Sequence, residues 1–406
     1  MKLNYSLLGK YIRQIDIRNN SGSEENLLGV STQKKFIKSI ANTVGTDFKK
    51  YKIIKKKQFA YVPDTSRRGE KIGIAMLSDE DEALVSQAYT VFEVIDENSL
   101  LPEYLMMWFS RPEFDRYARY MSHGSVREIF SWEEMCNVKL PVPTIEKQKE
   151  IVREYNTILN RIELNKNMID KLEGLAQSIY KQWFEELNYF NYNLEYSQIM
   201  EANIPKNWDV IRLGDLCDIK GGKRLPKGKE LNDNSGNPYI KVANMNNNKI
   251  INIDNSFQFV DKDTQKSISR YIVSENDIII SIVGTIGLVN IVGRELEGAN
   301  LTENCAKLTN ISRITPDYLY HYLKSYRGRK NIETKVVGGV QGKLPLYNIA
   351  EILIVVPDDV ILNEFDKHIL KINKFILNYM RQIVQLKSIS EMLLKRISIC
   401  EGGIDE

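Results

Sequence analysis

Leu101-Pro102-Glu103-Tyr104-Leu105 returns later in the chain as Thr315-Pro316-Asp317-Tyr318-Leu319, at an offset of 214 residues (316 − 102). The same offset lays Gly124-Ser125-Val126 on Gly338-Gly339-Val340, and Leu140-Pro141-Val142-Pro143 on Ile354-Val355-Val356-Pro357, with no gap. Unrelated helices can be aligned by their shared period alone, but matched prolines in one register mark a true duplication. The beginnings of the halves match more loosely, Leu8-Gly9-Lys10 resembling Leu213-Gly214-Asp215 at an offset of 205 (213 − 8). Each half therefore has a divergent start and a regular end.

Continuing at 214, residues 151–183 fall on 365–397. Ile151, Tyr155, Ile158, Ile162, Ile169, Leu172, Ala176, Ile179 and Trp183 alternate in steps of four and three, with Asn165 taking one core position. Phe365, Ile369, Ile372, Ile376, Tyr379, Ile383, Leu386, Ser390, Leu393 and Ile397 repeat the pattern. This is a heptad seam, too narrow to be satisfied by one helix in water, so each helix predicts the other as its partner. Antiparallel pairing would place the globular parts of two repeats at opposite ends. A helix over residues 145–187 would measure roughly 60 Å at ~1.5 Å per residue. Against ~3.4 Å per base-pair step, it would hold its ends about one to two turns of duplex apart.

Ahead of each helix the chain reads as short β-rich runs between Gly, Asn and Asp turns, followed by a helix opened by a proline, over residues 102–120 and 316–325. The predicted fold class is α+β: two tandem globular domains with pseudo-twofold symmetry, separated by two long helices forming an antiparallel coiled coil. Predicted boundaries are 1–143 for the first domain, 144–187 for its helix, 188–207 for a linker, 208–357 for the second domain and 358–400 for the distal helix.

At 406 residues, with 43% hydrophobic and 27% charged side chains, the chain exceeds one ordinary core and is neither disordered nor fibrous. The N-terminus has no secretory pattern, and the longest uncharged apolar stretch, residues 278–293, is shorter than the ~18 a spanning helix needs and carries strand-forming residues. The expected location is the cytoplasm. Cys136, Cys217, Cys305 and Cys400 and the three histidines are too scattered for a zinc or redox site, so free thiols and no metal are expected.

A net charge of +3 diagnoses no partner, so local clusters carry that argument. Lys49, Lys50, Lys52, Lys55, Lys56 and Lys57 crowd one stretch, followed by Arg67, Arg68 and Lys71. Lys220, Lys223, Arg224, Lys227 and Lys229 lie among Gly221, Gly222 and Gly228. A charge run is usually a solvated face, but two of them, read as lying at corresponding places, suit phosphate contact. Arg127, Gln341 and Lys343 are candidates for reading bases.

Several stretches resemble the specificity subunits of type I restriction-modification systems. Gly124-Ser125-Val126-Arg127, then Leu140-Pro141-Val142-Pro143 and Glu146-Lys147-Gln148-Lys149-Glu150-Ile151, resemble the end of a target recognition domain entering its helix. Leu175-Ala176-Gln177-Ser178-Ile179-Tyr180-Lys181-Gln182-Trp183-Phe184 is similar to the end of the central spacer helix. Gly284-Thr285-Ile286-Gly287 and Tyr61-Val62-Pro63-Asp64-Thr65-Ser66-Arg67 resemble turns of the recognition domains. The resemblance covers nearly the whole chain. It implies a split double-stranded DNA target, one half read by each globular domain, with helices that act as ruler and docking surface. It also implies two methyltransferase subunits that bring S-adenosylmethionine chemistry, and translocase-endonuclease subunits. The candidate DNA-contacting residues are then Lys55, Lys56, Lys57, Arg67, Arg68, Ser125, Arg127, Lys220, Lys223, Arg224, Lys227, Lys229, Thr285, Gln341 and Lys343. One departure concerns the helix starts: Val360 and Asn363 stand at the positions of Glu146 and Lys149.

Enzyme readings fail on spacing. The Gly-rich run at 222–229 is one residue too long for a phosphate loop, and Glu230 replaces the hydroxyl. No Gly-rich cofactor turn or Pro-Pro motif of a methyltransferase is found. Pro316-Asp317 with Glu333-x-Lys335 imitates a nuclease pattern, but the other half keeps Pro102-Glu103 without an equivalent of Glu333-x-Lys335. The chain is expected to be non-catalytic and free of cofactor. The alternatives are a coiled-coil scaffold with other acidic partners, or the recognition half of another restriction-modification enzyme.

Overall fold

The computed structural model describes residues 5–39, 45–66, 71–124, 127–233, 235–246, 248–251, 253, 257–339 and 342–397. Two compact units form, one from residues 1–164 and 382–406, the other from 165–381. Each holds one globular head and part of both long helices, Ile145–Tyr180 and Asp359–Arg396.

The duplication recurs at the level of sheets, with one strand reduced in the second head. In the first head Tyr5–Leu7 pairs with Lys139–Pro141; in the second Asp209–Arg212 pairs with Leu353–Val356. An antiparallel sheet ordered Ile12–Ile15, Thr90–Val94, Phe59–Tyr61, Ile74–Met76 is matched by Asp218–Gly221, Cys305–Thr309, Ile278–Ser281, Val289–Ile291. Phe59-Ala60-Tyr61 and Ile278-Ile279-Ile280 are buried on both faces, so these strands read as continuous apolar runs rather than alternating ones. A third, mixed sheet contains the parallel pair Leu27–Val30 with Glu82–Val85, matched by Asn237–Ile240 with Asn300–Leu301. Its fourth strand in the first head, Lys52–Lys55, shrinks in the second to a single bridge between Ile272 and Asn300.

The repeated tyrosine explains the motif that revealed the repeat. The buried Tyr104 hydroxyl donates to the Pro141 carbonyl at 3.1 Å, and the Tyr318 hydroxyl to the Val355 carbonyl at 2.5 Å. A buried hydroxyl needs a partner, and here it ties the proline-opened helix to the strand that enters the long helix. The Leu-Gly match has an equally local cause. A Cβ at Gly9 would lie 2.8 Å from Cβ of Cys136, and one at Gly214 would lie 2.8 Å from Cβ of Ala350.

The single helix expected over 102–120 is two, Pro102–Phe109 and Pro112–Tyr120. Pro112 offers no N–H and holds Arg111 extended, at φ −77° and ψ 141°. The second head repeats the break as Pro316–Lys324 and Tyr326–Thr334, with the Ser325 side chain accepting from the Gly328 N–H. The stretch expected as a linker, 188–207, contains a hairpin, Leu194–Ser197 against Ala202–Pro205. Trp208 anchors it, its ring 5.3 Å from Tyr192 and 5.7 Å from Phe184.

The heptad reading holds along both long helices. Ile151, Ile162, Ile169, Phe365, Ile369, Ile372 and Ile376 are buried; Tyr155, Ile158, Leu172, Ile179, Ile383, Leu386 and Leu393 are partly buried. In the first unit Ile151 and Tyr155 share a core with Leu394 and Ile397. In the second, Tyr180, Trp183 and Phe184 surround Phe365 at centroid distances of 6.2, 6.0 and 5.0 Å. The start of one helix thus meets the end of the other in each unit, as antiparallel pairing requires. The first long helix relaxes into a π turn at Lys181–Glu185, and within that wider turn Trp183 and Phe184 are both buried.

Candidate nucleic-acid interface

Each head brings two loops together by matching bridges. In the first, Asp64 and His123 both form bridges with Ile129. The N–H and hydroxyl of Thr65 donate to the Glu128 carbonyl at 3.0 and 3.2 Å, and Phe130 N–H donates to the Pro63 carbonyl at 2.9 Å. In the second head, Val283 and Val337 both bridge to Lys343, and Leu344 N–H donates to the Ile282 carbonyl at 2.9 Å. The offset of 214 that aligns the sequences carries His123 onto Val337 and Ile129 onto Lys343. The loop pair is therefore part of the duplicated framework.

Glycines shape these loops. Gly284 and Gly287 have φ of 81° and 85°, and Gly338 has φ of 100°, a region side-chain-bearing residues rarely enter. The Ser281 hydroxyl fastens the first turn, donating to the Thr285 carbonyl at 2.6 Å and accepting from Leu288 N–H at 2.9 Å. Thr285 and Lys343 are left exposed on adjoining loops of the second head, and Arg127 is exposed on the loop pair of the first. Arg67, Arg68, Ser125 and Gln341 lie outside the described residues.

Arg119, not singled out from sequence, braces the first loop pair. Its guanidinium donates to the Thr65 carbonyl at 3.2 Å and pairs with Glu128 at 2.5 Å, so it holds both loops at once. At the same register the second head has Glu333, and its loops are packed instead through Ile286 and Val336 beside Gly342. Nothing in the residue type foretold this, because the partners come from two distant loops.

The lysine clusters fare differently. Lys55 ends the strand Lys52–Lys55, and Lys56 and Lys57 form the turn before Phe59–Tyr61, at the end of that strand opposite Pro63 and Asp64. Lys57 pairs with Glu97 at 2.5 Å and Lys56 lies 3.8 Å from Asp81. Lys52 is buried, donating to the Tyr89 carbonyl at 2.8 Å. In the second head Lys220 pairs with Asp218 at 2.9 Å, Arg224 with Glu303 at 2.5 Å and Lys229 with Asp261 at 3.5 Å. Hydrogen bonds from Lys220 and Asn310 hold the Asp218 carboxyl below the usual carboxylate range. Lys223 lies over the Tyr271 ring at 5.7 Å, and Lys227 is exposed without an ion-pair partner among the described residues.

Nor do the two clusters occupy corresponding places. Lys52–Lys55 edges the mixed sheet, whereas residues 220–229 leave Asp218–Gly221, the counterpart of Ile12–Ile15. Charge density alone could not reveal this, since position in a sheet depends on strand partners far away in sequence.

At the helix starts, Gln148 is 0% exposed and makes three hydrogen bonds. It accepts from Leu101 N–H at 2.8 Å and donates to the carbonyls of Ser99 at 3.0 Å and Pro143 at 2.8 Å. Gln148, within the stretch Glu146-Lys147-Gln148-Lys149-Glu150-Ile151, is thus a clamp between a long helix and its head; in the second copy the buried Leu362 takes the place of Gln148. The acid of the imitation nuclease motif is engaged too: Asp317 is paired with Lys249 and accepts from Asn373. The described cysteines, Cys136, Cys217 and Cys305, are free, and burial pushes the Cys217 and Cys305 thiols up to about 12. No helix among the described residues is long and apolar enough to cross a membrane.

Several known proteins are similar to this chain. The type I restriction enzyme MjaIX specificity subunit of Methanocaldococcus jannaschii is 25% identical over 77% of this chain and 72% of its own length. The HindI specificity subunit of Haemophilus influenzae is 22% identical over 96% of this chain and 97% of its own. A crystal structure of the type I S subunit from M. genitalium covers 98% of this chain and 96% of that one, with 16% identity and a TM-score of 0.49. The family described as the type I restriction modification DNA specificity domain matches twice, over residues 10–174 and 205–389. Those two spans hold the two heads with their paired loops, so the chain belongs to the type I restriction-modification specificity family and carries two recognition domains.

Proposed function

We propose that each head reads one half of a bipartite double-stranded DNA target through its loop pair, and that the chain itself is non-catalytic. The observation that carries this reading is the recurrence of the same loop pair in both heads, with different side chains on it: Arg127 and Ile129 in one, Thr285 and Lys343 in the other. A constant framework with variable tips is what independent reading of two half-sites needs. Phosphate contacts position a protein on the duplex, and groove contacts supply sequence. The lysines around residues 55–57 and 220–229 would serve the former.

The helices are proposed to act as ruler and as docking surface. Thirty-six residues in Ile145–Tyr180 correspond to about 54 Å of helix. Away from the seam, Leu370 and Phe375 are exposed on the second long helix within the second unit, as are Val384 and Met392 within the first. Exposed apolar side chains of this size suit a protein partner, here two methyltransferase subunits that would bring S-adenosylmethionine, with translocase-endonuclease subunits joining them.

The test is methylation mapping. The purified chain alone should transfer no methyl group, whereas together with its methyltransferase partner it should direct adenine methylation to a two-part motif. Exchanging residues 283–287 and 337–343 for those of a relative should change one half of the motif only. Methyl transfer by the isolated chain, or a change in both halves, would end this reading.

A further inference from the structure

Lys249 is 3% exposed, yet its partners come from three separate elements. Its ammonium pairs with Asp317, the second residue of Pro316–Lys324, and donates to Asn373 Oδ1 on the second long helix at 2.9 Å. Asn373 Nδ2 completes the triangle, donating to the two Asp317 oxygens at 3.2 and 3.3 Å. The Lys249 N–H donates to Glu173 Oε1 on the first long helix at 2.8 Å. The loop carrying Lys249 is joined to the sheet: its carbonyl accepts from Ile291 N–H at 2.7 Å, and Asn290 Nδ2 donates to the carbonyls of Asn246 and Asn248 at 3.2 and 2.5 Å. Lys249 therefore links the second head to both long helices, through its ammonium to the second and through its backbone N–H to the first.

Among the described residues of the first head no lysine makes such a link. Its buried lysine, Lys52, donates to the Tyr89 carbonyl at 2.8 Å and lies 3.6 Å from Asp16. The partly buried Lys34 pairs with Asp115 at 2.8 Å and also donates to the Phe109 carbonyl, so both ion pairs stay inside the head, and Gln148 provides the polar attachment to the helix. A buried charge is costly unless fully paired, so it tolerates little change of geometry once its partners are in place. An apolar contact such as Leu362 can slide; an ammonium held by a carboxylate and an amide on different elements cannot.

We infer that Lys249 is a positioning residue that fixes the angle at which the second recognition domain leaves the helix pair, and thereby the spacer length the subunit accepts between target halves. This rests on the ruler reading above. The experiment uses the subunit with its methyltransferase partner and duplexes carrying the cognate half-sites separated by spacers one and two base pairs shorter or longer than the natural one. Lys249→Met removes the charge while keeping the length of the side chain. Because it strands Asp317, the double variant Lys249→Met with Asp317→Asn is measured alongside, so that neither member of the ion pair is left charged. The wild type should methylate one spacer length. The double variant should methylate neighbouring lengths to within about tenfold of it, with unchanged base preference in each half-site, which mere loss of stability would not produce. A folded double variant with the wild-type spacer preference would overturn the inference alone. A wild type indifferent to spacer length would overturn the ruler reading beneath it as well.

Discussion

A methyl group added at Gly214 would meet the Ala350 methyl at 2.8 Å, with the Cα and carbonyl oxygen of Ala350 each at 3.4 Å. Carbon atoms rest at about 3.5–4.0 Å from one another, so Gly214→Ala must part the turn and the helix Leu346–Ala350 by roughly 1 Å. Ala350 has no flexible end to swing aside. Overpacking of this kind costs about 1–3 kcal/mol, and we predict about 2 kcal/mol, read as a lower urea midpoint at unchanged slope. Ala350→Gly removes the clashing methyl and leaves only the 3.4 Å contacts. Alone it should cost up to about 1 kcal/mol as a helix-end glycine, yet in combination it should restore most of the loss, a coupling of about 1 kcal/mol or more. The helix lies three residues beyond Lys343, so methylation at the second half-site should weaken in Gly214→Ala and recover in the double variant. If the two changes simply add, or Gly214→Ala is neutral, close approach is not the reason that Leu-Gly appears in both halves.

Gln148→Leu should destabilise by about 1–3 kcal/mol in urea unfolding, because it removes a fully buried amide's hydrogen bonds to three backbone groups at once; a loss below about 0.5 kcal/mol would contradict the clamp. Arg119→Met should relax base discrimination at one half-site and leave the other intact; equal loss at both would show that the brace does not act locally. Inserting four residues near Asn165 lengthens the helix by about 6 Å, close to two base-pair steps, and the methylated motif should change its spacer accordingly. Burial pushes the Asp366 carboxyl up to about 6, against the hydrogen bond from Thr315. The folded chain then keeps a proton that the unfolded chain releases between about pH 4 and 6, so this group's contribution to stability falls as pH rises through that window. Asp366→Asn should raise the melting temperature at pH 8, with the gain disappearing towards pH 4; a gain independent of pH would assign the effect elsewhere.

What the sequence revealed and what it hid divide along a physical line. The seam from Ile151 to Ile179 and from Phe365 to Leu393 was legible because burial on a helix imposes a period that neighbouring residues record. The proline-opened helices were legible for a similar reason, although Pro112 opens a second helix where the pattern predicts a single one over 102–120. The hairpin within 188–207 left a weaker trace, its anchoring resting on Trp208 and Tyr192 rather than on a repeating pattern. The loop pairs were half visible: the glycines of Gly284-Thr285-Ile286-Gly287 betrayed a turn, but the pairing of residues 283 and 343 depends on a sheet closing across sixty residues. Lysines 55–57 and 220–229 misled about correspondence because charge carries no information about strand order.

The duplication also separates what the fold needs from what each half has been free to change. Tyr104 and Tyr318, Gly9 and Gly214, and the bridges from His123 to Ile129 and Val337 to Lys343 recur at matching places, so they serve requirements common to both heads. Gln148 against Leu362, Arg119 against Glu333, and the internal Lys34 against the helix-bound Lys249 do not recur. Every one of these unequal pairs sits where a head joins its helix, where two loops join, or where a loop docks on a helix. These joints differ in kind, a buried amide against an apolar side chain and an internal ion pair against one that reaches a long helix, so the two heads share one framework but are fastened differently.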